Sequence, residues 1–131
     1  MKILIAEDDP GSNRLLSSML YQYGECLSVN NGLSAVETVS QALIDKKPFN
    51  LIMLDIMMPK LDGHACLKKI RELEKEHKVE KSASAKIIMI TALSDKKNVL
   101  EAFKGSSNAY IVKPVIKEKI EKELKKLNLI G

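Results

Sequence analysis

Five short apolar runs alternate with stretches of helical periodicity, and this alternation limits what the chain can fold into. The runs are Lys2 to Ala6, Glu25 to Val29, Asn50 to Leu54, Ile87 to Ile90 and Asn108 to Val112. The sharpest is Leu51-Ile52-Met53-Leu54, which leads straight into Asp55. A strand buried on both faces reads as such an unbroken run. Helical stripes fill the intervals. Leu15, Leu16, Met19, Leu20 and Tyr23 form the first, with Asp9 as N-cap, Pro10 in the first turn and Gly24 at the end. The second spans about Ser34 to Asp45 and turns Val36, Val39 and Leu43 inward. The third follows an Asp62 cap and buries Leu67, Ile70 and Leu73. The fourth, Asp95 to Lys104, buries Val99, Leu100 and Phe103; the fifth, Ile116 to Leu127, buries Ile116, Ile120, Leu124 and Leu127. Glu118–Lys122 and Glu121–Lys125 are stabilising pairs on its wet side.

Strand and helix in alternation predict an α/β fold, (βα)5, with a doubly wound five-stranded parallel sheet. Right-handed crossovers favour the strand order 2-1-3-4-5. The 131 residues suffice for one domain with a real core, expected over residues 1–131. No apolar run approaches the ~20 residues of a membrane span. Met1-Lys2 leaves no room for a signal peptide before Ile3, so a cytoplasmic location is expected. Cys26 and Cys66 lack paired spacing and read as free thiols.

Charge is uneven. Residues 1–65 carry 5 basic and 8 acidic side chains, and residues 66–131 carry 16 and 9, so net −3 and net +7 sum to +4. Such asymmetry suits an acidic partner. Aromatic content of 4% argues against a nucleic-acid stacking platform. The polar stretch from His77 to Ala85 reads as a mobile loop, and His64 and His77 read as surface residues.

The carboxyl ends of the strands carry the chemistry, as open α/β sheets do. The first run ends in Glu7-Asp8-Asp9, the third in Asp55, the fourth in Thr91-Ala92 and the fifth in Lys113-Pro114. Glu-Asp-Asp, then Leu-Asp-Ile-Met-Met-Pro-Lys-Leu-Asp-Gly, then Thr-Ala, then Tyr-Ile-Val-Lys-Pro resemble the receiver domain of two-component response regulators. The resemblance runs from Lys2 to about Leu129 and implies a flavodoxin-like fold.

It also implies a phosphorylation switch. Asp55 would accept a phosphoryl group from a histidine kinase, a covalent step open to carboxylates. Clustered carboxylates repel and tend to hold a proton, and a hard divalent cation such as Mg²⁺ removes the conflict. Asp8 and Asp55 are the expected direct ligands, Glu7 acts through water, and the Met57 carbonyl completes the set. Lys113, the Thr91 hydroxyl and the Ala92 N–H would take phosphoryl oxygens. Ala92 is small enough to admit the donor. In the family the peptide bond before Pro114 is cis, which aims Lys113, and Tyr110 moves together with Thr91.

The face made by the fourth helix, fifth strand and fifth helix would change partner binding. It carries Lys96, Lys97, Lys104, Lys117, Lys119, Lys122, Lys125 and Lys126. The chain is read as a phosphoacceptor without an output domain, an enzyme only toward its own phosphate. Met57 and Leu93 cannot orient a water, so slow phosphate loss is expected. The 36 positions from Asp55 to Thr91 make the 77–85 stretch longer than usual. Alternatives are a constitutive protein-binding pseudo-receiver and a receiver excised from a hybrid kinase, against which Met1 argues. A flavin domain is disfavoured because Glu7-Asp8-Asp9 would repel a phosphate. An aspartyl phosphatase is disfavoured because Met57 stands where its general acid would be.

Overall fold

The computed structural model of the protein describes residues 1–92 and 106–131. Strands β1 (Lys2–Ala6), β2 (Glu25–Val29), β3 (Leu51–Asp55), β4 (Lys86–Thr91) and β5 (Ala109–Val112) form one sheet. All pairings are parallel and the order is β2-β1-β3-β4-β5, as the alternation predicts. Helices α1 (Pro10–Leu20), α2 (Gly32–Ile44), α3 (Gly63–Glu76) and α4 (Lys117–Lys126) are the α-helices among the described residues. The fourth predicted helix, 95–104, lies outside them, together with Leu93, Lys96, Lys97 and Lys104.

The two faces of the sheet make two cores. Leu4, Ala6, Ile52, Leu54, Ile87 and Met89 pack against α2 and α3. Ile3, Ile5, Leu51, Met53, Ile88 and Ile90 pack against α1 and α4. The central strand β3 is buried at every position, which is why its sequence does not alternate.

Helix starts follow their caps. Asp9, Asn31 and Asp62 accept backbone N–H groups of Ser12, Ser34 and Ala65 at 2.8, 2.8 and 2.9 Å. The Asn31 cap starts α2 at Gly32, two residues before the expected Ser34. Helix ends hold a signal the sequence conceals. Lys46, Lys78 and Asn128 adopt positive φ of 57°, 56° and 59° after α2, α3 and α4. Each closes a Schellman motif; after α3, Lys78 N–H donates to Lys75 O at 3.1 Å and Val79 N–H to Glu74 O at 2.9 Å. Glycine usually fills this position, so two lysines and an asparagine hide it.

Several expectations are corrected. Helix α1 ends at Leu20 and passes through a 3₁₀ turn, Tyr21–Tyr23, before Gly24. Gly24 is extended rather than left-handed; its lack of Cβ matters because one would stand 2.0 Å from the Met1 carbonyl oxygen. Leu15 and Ile116 are 55% and 43% exposed, so neither belongs to the core. In α2 the buried line is Ala35, Val39 and Ala42, with Val36 and Leu43 flanking it. Glu121–Lys125 pairs at 3.1 Å, but Glu118–Lys122 is not among the ion pairs of the described residues. The stretch from His77 to Ala85 is built rather than loose. It contains a 3₁₀ turn, Lys81–Ala83, and ends in buried Ala85, whose N–H donates to Glu74 Oε2 at 2.8 Å.

Candidate functional site

Parallel register brings the predicted residues to one edge. Ala6 pairs with Leu54, Asp55 with Ile90 and Thr91 with Val112. The next residues along, Glu7 and Lys113, therefore flank Asp55 and Thr91. A close backbone approach holds Asp55 from behind. A Cβ on Gly63 would stand 2.7 Å from the Asp55 carbonyl oxygen and 2.7 Å from Ile56 Cα, so only glycine lets α3 start there.

Asp55 is 2% exposed. Its Oδ2 accepts from Lys113 Nζ at 2.9 Å and its Oδ1 from the Met57 N–H at 3.0 Å. The peptide bond between Lys113 and Pro114 is cis. The Lys113 N–H also donates to Thr91 O at 2.7 Å, which ties the two strand ends together. Burial pulls the Lys113 ammonium down, but contact with Asp55 and the charges of Glu7 and Asp8 outweigh it, and the net shift is upward.

Glu7 is buried beside Asp55. Its Oε1 accepts from the Asp9 N–H at 3.2 Å, whereas its Oε2 is buried without a partner. Burial, then the adjoining Asp55 carboxylate and its charge, push the Glu7 carboxyl up to about 8, against the pull of Lys113. Asp8 is exposed at the rim. Asp9 serves as the helix cap, and its bonds to Ser12 hold its carboxyl below the usual range.

Glu7, Asp8 and Asp55 each present an oxygen within 4.8 Å of the others. Three carboxylates against one ammonium leave a net −2 when all are ionised. The donor set is all oxygen, and one buried oxygen lacks a partner. Both features fit a hard divalent cation.

Thr91 is buried, and its hydroxyl donates to the Ala92 carbonyl at 3.1 Å. Ala92 follows at the rim, half-buried. Met57 is 67% exposed at the mouth. Tyr110 is half-buried against the α2–α3 core. His64 is half-buried and His77 exposed; neither joins the cluster. Asn13 is a residue the sequence reading missed. Its Nδ2 donates to the carbonyls of Glu7 and Val29 at 3.0 and 3.2 Å, locking the end of β1 to that of β2. Only its place one helical turn past the Asp9 cap could have pointed to it.

Known proteins carry the same pattern. The family of the response regulator receiver domain matches residues 3–125. "Probable transcriptional regulator ycf27" of Galdieria sulphuraria is 34% identical over 125 residues, which are 95% of this chain and 44% of that protein. "Hybrid signal transduction histidine kinase L" of Dictyostelium discoideum is 34% identical over 99% of this chain and 7% of the kinase. The chain thus spans less than half the length of either relative. A solved receiver domain of a Pseudomonas aeruginosa sensor histidine kinase, with a magnesium ion coordinated in its active-site cleft, superimposes with a TM-score of 0.75. It is 27% identical, and the match covers 95% of this chain and 94% of that one. With this fold, and with the acid cluster standing where the strands end, the chain belongs to the response regulator receiver domain family.

Proposed function

We propose that Asp55 is the phosphoacceptor of a signalling switch and that Lys113, Thr91 and Ala92 serve it. The observation that carries this reading is the buried Asp55 carboxylate, held by Lys113 at 2.9 Å and crowded by Glu7 and Asp8. Such a carboxylate is held in place by its own donors, and its neighbours are polar groups at the sheet edge. Asp55 attacks phosphorus of a phosphohistidine; the new O–P bond forms as the P–N bond breaks, and the electron pair leaves on the imidazole nitrogen. The product is an acyl phosphate.

Glu7, Asp8 and Asp55, with the Met57 carbonyl, would hold Mg²⁺. Such an ion would offset the carboxylate charge and supply Lewis-acid stabilisation to the transferring phosphoryl group. Lys113 gives up part of its hold on Asp55 to pair with a phosphoryl oxygen. The Thr91 hydroxyl leaves the Ala92 carbonyl for another, beside the Ala92 N–H. That move is the switch, and Tyr110 on β5 follows it.

The partner face includes β5 and α4. Lys119 Nζ donates to the carbonyls of Val112 and Pro114 at 2.8 and 3.0 Å, so it braces the strand end. Lys125 and Lys126 pair with Glu121 and Glu123. Lys117 and Lys122 are therefore the α4 lysines left to attract an acidic partner, and such binding weakens with salt. A sensor histidine kinase is the donor, and the hybrid-kinase relative favours a phosphorelay as its setting.

Intact mass after incubation with Mg²⁺ and a small phosphodonor tests the reading. One added phosphoryl group, absent from Asp55→Ala, is expected. A folded wild type that gains none is a constitutive binding module. Exposed, apolar Met57 predicts slow loss of the label; a lifetime of seconds contradicts that.

A further inference from the structure

We infer that a second cavity, at the opposite edge of the sheet from Asp55, binds a small phosphate-bearing anion. The cavity has a volume of about 390 Å³ and lies where β4 and β5 begin. Lys86 at its rim and Thr91 stand five residues apart along β4, roughly 17 Å at the rise of a strand. The long 77–85 stretch, which the switch chemistry leaves unused, forms one side of it through Val79, Lys81 and Ser84.

Arg71, Lys75, Lys81 and Lys86 line the cavity against one acid, Glu74, a balance of +3. Arg71 is spent internally. It bonds Glu74, the carbonyls of Ala85 and Ser106, and the Asn108 side chain. Lys75, Lys81 and Lys86 have no carboxylate partner among the described residues. Three unpaired ammonium groups around one space repel each other, and an anion relieves that repulsion.

The frame is rigid enough to be a site. The α3 Schellman motif, the Glu74 bond to Ala85 N–H and the bond from Ser84 Oγ to Lys81 O at 2.7 Å fix the course of the wall. Ser84, Ser106 and Asn108 add polar groups at the rim. Val79 is the one apolar residue of the lining, which disfavours a hydrocarbon ligand. Ammonium groups with hydroxyl neighbours form strong charge-assisted bonds to phosphate oxygens. The volume admits a ligand larger than inorganic phosphate.

The inference is independent of phosphorylation at Asp55. The test is a titration of the whole chain with inorganic pyrophosphate in metal-free buffer, followed by backbone amide NMR shifts. Saturating shifts are expected at Ser84, Lys86, Ser106 and Asn108. They should weaken at least about tenfold in the Lys81→Glu, Lys86→Glu double variant, which loses two cations and gains two anions. Lys81 is exposed and Lys86 half-buried at the start of β4, so unchanged shifts in β1 and β3 serve to certify the fold. The same titration on Asp55→Asn should give the same affinity. No saturation, shifts spread evenly over the lysines of α4, or an unaltered double variant overturn the site. Tighter binding of a poly-glutamate peptide than of pyrophosphate also overturns it, in favour of an acidic protein segment.

Discussion

The two edges of the sheet each hold buried charge, and they hold it differently. At the amino edge Arg71 and Glu74 spend their polar atoms on each other and on neighbouring backbone and amide groups. At the carboxyl edge Glu7, Asp8 and Asp55 share one lysine, and a buried oxygen of Glu7 has no partner. Satisfied buried charge fixes a structure, since removing either member leaves the other stranded. Unsatisfied buried charge lowers stability and awaits a ligand or a reaction. The contrast separates the scaffold end of the protein from the end where the acids cluster.

The contrast can be broken most completely at Asp55. Asp55→Asn should abolish phosphoryl uptake, read by intact mass, while raising thermal stability because one of the crowded charges is gone. Glu74→Ala should do the reverse. It strands Arg71 and frees the Ala85 N–H, at a cost of about 3 kcal/mol in urea unfolding, with phosphoryl uptake retained.

Proton linkage sharpens the comparison at the reactive edge. The Glu7 carboxyl rises from 4.5 to about 8 on folding, so the folded protein binds more protons than the unfolded chain between those values. Metal-free stability should therefore fall as pH climbs from 4.5 to 8. Glu7→Gln should flatten that slope, measured by denaturation at a series of pH values. Adding Mg²⁺ at ten times its dissociation constant should return about 1.4 kcal/mol to the wild type, seen as a higher melting temperature, and little to Glu7→Gln with Asp8→Asn. The smallest effect lies at the scaffold end. Lys78→Gly relieves a left-handed residue and should add up to about 1 kcal/mol with no change in phosphoryl uptake.

Much of this was legible before folding. The unbroken run of β3, the caps Asp9 and Asp62, and the acids and lysine at strand ends follow from local chemistry and from the two-face burial of a parallel sheet. Period and capping are properties of neighbours in the chain, so the sequence alone reports them. It misled where a residue's surroundings are remote. Leu15 and Ile116 have the right spacing for a core, yet Leu15 stands on the solvent side of α1 and Ile116 precedes α4 as its extended N-cap. The Schellman ends were hidden because lysine and asparagine can occupy a left-handed position at a modest cost that packing elsewhere outweighs.

Composition, the β-α alternation and the order of motifs determined the fold class and singled out Asp55 as the candidate phosphoacceptor. Tertiary structure alone decided how charge is shared. Asp55 and Lys113 are 58 residues apart in the chain and Arg71 and Asn108 are 37 apart; strand register joins the first pair, and packing of α3 beside the sheet joins the second. Whether a buried acid is satisfied depends on which distant donors reach it. That is why Glu74 became part of the scaffold and Glu7 did not.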